Sequence, residues 1–551
     1  MLYGDTGIPP IVGNYRDQSG NLCKPPYTEE TEMDFGSKLK QNAEQLSDKP
    51  AVIFNDEIIT FAALNSRAAR FGNAIIGLGL KPKDRVAVVL HNCSEFLEII
   101  YGAVKAGITL VPVNWRLAPD EMSYVINNSD ACAVIVAQKF VEKIEPIKSE
   151  LKNVDAARYV FLGENAPGGM IDYEEFLAGV SDEEPGFEGD ENHPFFIGYT
   201  SGTTGFPKGA VTPLGNWEIK VASISMLMRL NNDDVQLLTM PLFHMNAINT
   251  SSNSHYMGQT VVVMERFRAE ESLRLIEKYK TSFSSMVPTM YNRLKNLPPD
   301  VFAKYDNSPM KNLLQSSAPL PFSTKQWIIE NFKSAGLHEV YGGTEAGIVT
   351  YLPPEEQLNR PGSVGMALPT VEIKLVDDDG NEVAEGEIGQ FVSRPREGSI
   401  LGKVSEYYKD DKSTKKSFKD GWFHSGDMAK MDADGFYYLV DRKFDMIISG
   451  GENIYPAEIE TALYRHPKIL ECAVIGVPDD DWGESVKAVV VIKEGMTADE
   501  EEIIAYCREH LAGFKIPRSV DFTDELPKTD TGKILKKIIK APYWKDRESN
   551  I

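Results

Sequence analysis

From Thr60 onward the apolar residues of TFAALNSRAARFGNAIIGLGL recur every three or four positions, the period of a helix with one buried stripe, and Thr60 stands where an N-cap belongs. The next run, DRVAVVL, is short, rich in β-branched residues and bounded by charge, and it predicts a buried strand. A second helical period, SEFLEIIYGAVKAG, leads into a second such run, ITLVPV. Alternation of this kind favours a parallel sheet covered by helices on both faces. ACAVIVA, YVFLG, VQLLTMP and QTVVVME are further candidate buried strands.

Between about residues 371 and 445 the pattern shifts to short strands and turn dipeptides, in VEIKLVDDDGNEV, GQFVSRP and DADGFYYLV. This predicts a β-rich subdomain closing the large unit. After DRKFDMIISGGENIYPAEIE comes a compact α+β segment, with helices AEIETALYRH and DEEEIIAYCREHL and strands ECAVIGV and KAVVVIKEG. The expected fold is therefore α/β, with a large N-terminal domain of helix-covered sheets over residues 1–443 and a small α+β C-terminal domain over 444–551. A length of 551 residues requires such a division, because single cores stop growing at roughly 250–300 residues.

Charge narrows the partners. Acidic residues outnumber basic ones by 81 to 58, a net charge of −23, which argues against nucleic acid or an anionic membrane as the main partner. The Lys-rich end, residues 528–545, reads on composition as a solvated helix face. Five cysteines, odd in number and never at C-x-x-C spacing, indicate neither a disulfide framework nor a zinc site. The N-terminus lacks the basic and apolar regions of a signal peptide, and no run of about 18 uninterrupted apolar residues occurs. A cytoplasmic protein without a membrane segment is expected.

The first candidate for chemistry is GYTSGTTGFPKGA, residues 198–210. It nearly spells a Walker phosphate loop, G-x-x-x-x-G-K-[ST], but Pro207 stands where the second glycine belongs and Gly209 replaces the magnesium-binding hydroxyl. Thr200, Ser201, Thr203 and Thr204 supply hydroxyls, Gly202 and Gly205 a permissive backbone, and Lys208 a cation, so the loop suits phosphate oxygens. Such composition is equally common in plain surface turns. EVYGGTEAG places Glu345 beside Thr344 after a Gly-Gly turn that exposes Tyr341 for stacking, and Glu345 is the candidate magnesium ligand. GWFHSGD ends in Asp427, Arg442 follows fifteen residues later, and LPKTDTGKILKK presents Lys533 before a basic helix. Each taken singly reads as a surface feature; their joint order does not.

Together YTSGTTGFPKG, PLFH, YGGTE, GWFHSGD, the Arg442 segment and PKTDTGK resemble the adenylate-forming superfamily, which contains acyl-CoA synthetases, adenylation domains of peptide synthetases and beetle luciferases. The resemblance covers almost the whole chain. It implies an AMP-forming acyl-CoA ligase using ATP, Mg2+ and CoA, in which a carboxylate attacks the α-phosphate of ATP and pyrophosphate leaves. Thr200, Ser201, Gly202, Thr203, Thr204 and Lys208 would then hold the departing phosphates, with magnesium carried by Glu345. Lys533 would bridge the carboxylate and the α-phosphate, and Thr344 would donate to that phosphate. Tyr341, Gly342, Gly343 and the SSAPL segment (Ser317, Ala318 and Pro319) would border adenine, and Asp427, Leu439 and Arg442 the ribose. His244, Met245, Ser316, Gly342 and Gly343 would border the acyl group, with His244 between acyl site and thiol entry. Ser449, Gly450 and Gly451 would line the pantetheine tunnel, and Trp482, Phe514, Lys515 and Arg518 would meet the adenine and phosphates of CoA.

The family usually carries Asp or Lys two residues after the arginine, where this chain has Phe444, and SSAPL begins with serine where glycine or alanine is common. The expected acid is alicyclic, aromatic or medium-chain, of a kind met in fatty-acid or aromatic-acid metabolism. The rival reading is a stand-alone adenylating enzyme that loads a carrier protein, against which Trp482 leans. A γ-phosphoryl-transferring P-loop enzyme is opposed by Pro207 and Gly209. The resemblance also accommodates a homodimer.

Overall fold

The computed structural model describes residues 35–189, 191–200, 207–215, 224–396, 406–442, 445–449, 452–479, 482–511, 513–529 and 532–545. The predicted first helix is Phe61–Gly77, and Thr60 caps it, its side chain accepting from the Ala63 amide at 3.2 Å. The second is Ser94–Ala106, ended by Gly107 in the left-handed region at φ 68°, and it is buried along nearly its whole length. Both explain their sequence pattern: the first shows an apolar stripe, and the second is buried nearly all round, its charged Glu98 and Lys105 paired with Arg67 and Glu184.

Three sheets organise the described residues. A seven-stranded sheet runs in the order Ile171–Asp172, Tyr159–Leu162, Ala131–Ala137, Arg85–Val89, Thr109–Pro112, Pro194–Thr200, Lys208–Pro213; its strands are parallel up to the last pair, which is an antiparallel hairpin. A fourteen-stranded sheet has a parallel centre that includes Val235–Leu238, Phe283–Met286, Asn312–Gln315 and Gly336–Gly343. The β-rich stretch expected between about residues 371 and 445 joins this sheet: Ser363–Ala367 pairs with Gly347–Leu352 on one side and Tyr437–Arg442 on the other. The main apolar core joins the two large sheets through the helices between them, with Phe71, Phe96, Phe196, Val262 and Leu313 fully buried.

The third sheet has five strands, among them Ile469–Asp479 paired over its length with Gly483–Ile492, and its own core around Ile459, Val474, Val490 and Ile503. This smaller unit touches the larger one at a defined point. Gly532, in a turn at φ +82°, lies so close to Thr289 that an added Cβ would stand 2.3 Å from the threonine methyl. Thr289 sits on the helix Pro288–Lys295, directly after the central strand Phe283–Met286.

Candidate active site

The Walker-like motif starts on one strand of an antiparallel pair and ends on the other. Pro194–Thr200 and Lys208–Pro213 are antiparallel, and Thr200 pairs directly with Lys208. A Walker loop opens a helix; here the chain doubles back. Gly209 explains the missing hydroxyl, since a Cβ there would meet the Ile197 methyl at 2.7 Å and the Tyr199 ring at 3.0 Å. Ser201, Gly202, Thr203 and Thr204 lie outside the described residues. The strand feeding the loop lies against the second motif: a Cβ at Gly198 would come within 3.1 Å of the Thr344 methyl.

Thr344 and Glu345 form, with Ala346, the turn between the strand Gly336–Gly343 and its antiparallel partner Gly347–Leu352. Gly342 is required sterically, because a Cβ would overlap the Gly347 carbonyl oxygen at 1.9 Å. The Tyr407 hydroxyl donates to Glu345 Oε1 at 2.7 Å. Burial and the charge of Glu345 push the Tyr407 phenol well up, so it stays a donor. Lys208 Nζ lies 5.4 Å from the Tyr407 ring centroid and bonds Ser413 Oγ at 2.6 Å. Neither Tyr407 nor Ser413 was signalled by the sequence. Tyr407 is brought in by a short bridge to Ala210 across the hairpin edge, a non-local pairing with no local pattern.

Glu345 is half-buried, and its Oε2 lies over Gly343, where an added Cβ would stand 3.4 Å away. Among the described residues no group of three or more His, Cys, Asp or Glu could hold a metal ion. A single carboxylate fits magnesium, which keeps waters and takes phosphate oxygens rather than an all-protein cage.

The Tyr341 hydroxyl donates to Asp427 Oδ2 at 2.5 Å, and Tyr341 packs edge-on against Phe391. Asp427 stands opposite Arg442 in the pair Trp422–Met431 and Tyr437–Arg442, and Leu439 packs into the cluster behind Tyr341. Ser317 is in the left-handed region at φ 72°, a costly conformation for a non-glycine residue, and Ser317 and Pro319 are exposed with Ala318 half-buried between them. His244 caps the helix Met245–Tyr256 in extended conformation and rests on Phe243, with ring centroids 4.4 Å apart; Met245 is half-buried beside it. Asn246 Nδ2 donates to Ser316 Oγ at 2.7 Å, tying this helix to the SSAPL segment. Lys533 closes a turn with Thr529, whose amide donates to the Lys533 carbonyl at 2.7 Å while the Lys533 amide donates to Thr529 Oγ1 at 3.1 Å.

The residues expected to meet CoA form a second group on the small unit. Ser449 pairs with Gly483 beside Trp482, and a hairpin joins Ile447–Ser449 to Glu452–Ile454. Gly450, Gly451 and Phe444 are outside the described residues. Trp482 and Phe514 are 46% and 51% exposed. The Arg518 guanidinium lies 4.7 Å over the Trp482 ring and 3.7 Å from Asp479, so one indole face is already stacked. Lys515 Nζ is held by both Glu458 oxygens at 2.6 and 2.7 Å rather than standing open to a phosphate.

Two family models match the chain: "AMP-binding enzyme" over residues 39–398 and "AMP-binding enzyme C-terminal domain" over 458–533. A feruloyl-CoA synthase from Amycolatopsis is 35% identical, the match covering 91% of this chain and 97% of that protein. The long-chain-fatty-acid–CoA ligase FadD13 of Mycobacterium tuberculosis is 34% identical over 89% and 94%. The crystal structure of ATP-bound MatB from Rhodopseudomonas palustris superposes with a TM-score of 0.83 at 29% identity, covering 93% of this chain and 99% of that one.

Proposed function

The chain belongs to the AMP-binding enzyme family, and from that membership we propose how its residues divide the work of the reaction. It is an ATP-dependent, AMP-forming acyl-CoA ligase: a carboxylic acid and ATP give acyl-AMP and pyrophosphate, and CoA then takes the acyl group and releases AMP.

Adenylation brings two anions together and adds charge at the α-phosphate and the leaving pyrophosphate, so it needs positioned donors and cations. The hairpin of Thr200 and Lys208 binds the β and γ phosphates, Thr344 donates to the α-phosphate, and Tyr341 and Asp427 take adenine and ribose. Magnesium, the usual ion of the family, would be held by Glu345 and supplies charge neutralisation at the phosphates. Lys533 places its ammonium between the carboxylate and the α-phosphate. The observation that carries this step is the docking of Gly532 on Thr289, which sets the lysine's turn on the large unit beside the central strands.

Thioester formation uses the other group, Ser449 with Trp482, Phe514, Lys515 and Arg518, after the C-terminal domain, residues 444–551, turns on the N-terminal one. The acid is alicyclic, aromatic or medium-chain, bordered by His244, Met245 and Ser316. The free, unpaired cysteines Cys93, Cys132, Cys472 and Cys507 support a cytoplasmic setting; among the described residues no helix is long and apolar enough to cross a membrane.

Product analysis with a panel of acids, with and without CoA, tests this reading. AMP and pyrophosphate with acyl-CoA are expected. ADP and phosphate would contradict it, and turnover only with a carrier protein would replace CoA as the acceptor.

A further inference from the structure

The helix Met245–Tyr256 is buried yet polar through most of its length. Its polar groups divide by face. Thr250 Oγ1 donates to the Asn246 carbonyl at 3.0 Å, Ser251 Oγ donates to the Ala247 carbonyl at 2.8 Å, and His255 is held by the Tyr101 hydroxyl and the Ala51 carbonyl at 2.9 and 3.0 Å. Asn246, Asn249 and Asn253, spaced three and four apart, share one face. Each keeps one buried amide atom without a partner: Asn246 Oδ1, Asn249 Oδ1 and Asn253 Nδ2, with Ser254 Oγ beside them. Asn249 is 8% exposed and Asn253 fully buried.

Buried polar atoms in folded proteins nearly always have partners, and a row of exceptions on one face invites a ligand. The row begins at the site already described, because Asn246 bonds Ser316 at the head of the SSAPL segment, and it ends at Asn253, whose Oδ1 accepts from the Ser225 amide and hydroxyl at 3.1 and 2.5 Å. At 1.5 Å per residue the seven positions span about 10 Å.

We propose, resting on the acyl-site reading above, that this face selects the acid: the substrate carries hydroxyl groups on the part remote from its carboxylate, and Asn246, Asn249 and Asn253 read them. An unsubstituted chain would leave these amides unpaired, and a site built to hydrogen-bond a substrate group rejects analogues that lack it. A hydroxyl serves both the free acceptors and the free donor.

The test compares straight-chain acids of two to twelve carbons and aromatic acids, each beside its hydroxylated counterpart (octanoate with 8-hydroxyoctanoate, cinnamate with 4-hydroxycinnamate), by pyrophosphate release. The best hydroxylated acid should exceed its unsubstituted partner in kcat/KM by at least about tenfold. Asn249→Leu should erase that preference while raising the melting temperature, since it removes a buried unpaired amide. Equal or better turnover of the unsubstituted acids, or a preference that survives Asn249→Leu, overturns the inference while the ligase reading stands. A lowered melting temperature in the variant would mean the amide is structural and overturns it too. If no acid in the panel releases pyrophosphate, the adenylation reading fails and this inference falls with it.

Discussion

The residues proposed to face ATP and those proposed to face CoA are held in opposite ways. On the large unit the side chains fix one another across strands: Tyr341 bonds Asp427, Tyr407 bonds Glu345, and Lys208 bonds Ser413. The partners come from strands, a turn, a bridge segment and the helix Asp411–Ser417 that lie far apart in the chain, and each bond holds its donor in place before any ligand arrives. On the small unit the aromatic residues are exposed and the cations are occupied, Lys515 by Glu458 and Arg518 by Trp482 and Asp479. One face is preorganised, as stabilisation of a charged transition state requires. The other is satisfied internally, and on the proposed assignment its cations exchange partners when CoA binds, which suits a surface used in only half of the cycle.

The largest effect that sharpens this contrast comes from Lys533→Ala. Loss of one charge-stabilising donor lowers adenylation about a hundredfold to a thousandfold, read as pyrophosphate release without CoA.

Acid should break the large unit first. Burial holds His255 and His338, both in that unit, down to about 4 in the folded protein, against 6.5 as the ordinary value. The unfolded chain therefore binds more protons between these values, and stability, fully present above pH 6.5, is lost as pH falls toward 4. Each histidine contributes up to roughly 3 kcal/mol over that range. Thermal melts across it should show the transition of the large unit falling; a flat profile would mean these rings are not buried and neutral.

Trp482→Ala should raise the Michaelis constant for CoA about tenfold and leave adenylation unchanged. Pantetheine, which lacks adenine, should be affected little. Joint loss of adenylation and thermal stability would make Trp482 a packing residue of the small unit.

Tyr407→Phe removes one hydrogen bond to Glu345, a change of about 1 kcal/mol, and should shift the magnesium titration of adenylation several-fold. Smallest is Glu458→Gln, which releases Lys515 from an exposed ion pair worth about 0–1 kcal/mol; CoA should bind slightly better, whereas an unchanged constant would place Lys515 outside the CoA face.

Much of this was legible in the chain because the signals were local. Thr60 and its apolar period gave a helix with its cap, and the ordered motifs identified the family although each alone was weak. The residues that were not legible act across long separations. Nothing near Tyr407 announces that it reaches Glu345, 62 positions away. Gly209 reads in sequence only as a departure from the Walker pattern, and its reason, the close approach of Ile197 and Tyr199, exists only once the hairpin forms. Asn249 and Asn253 looked like ordinary polar residues in a segment bordering the acyl pocket, since a helical period cannot tell a satisfied buried amide from an unsatisfied one.

The central claim is that two separate faces serve two half-reactions, and the most direct measurement supplies preformed acyl-AMP and CoA to the Lys533→Ala enzyme and follows thioester formation. A rate close to that of the unaltered protein is predicted, because the proposal assigns Lys533 to the ATP-facing arrangement alone. A fall as large as the loss in adenylation would contradict the account, since one arrangement would then be serving both steps.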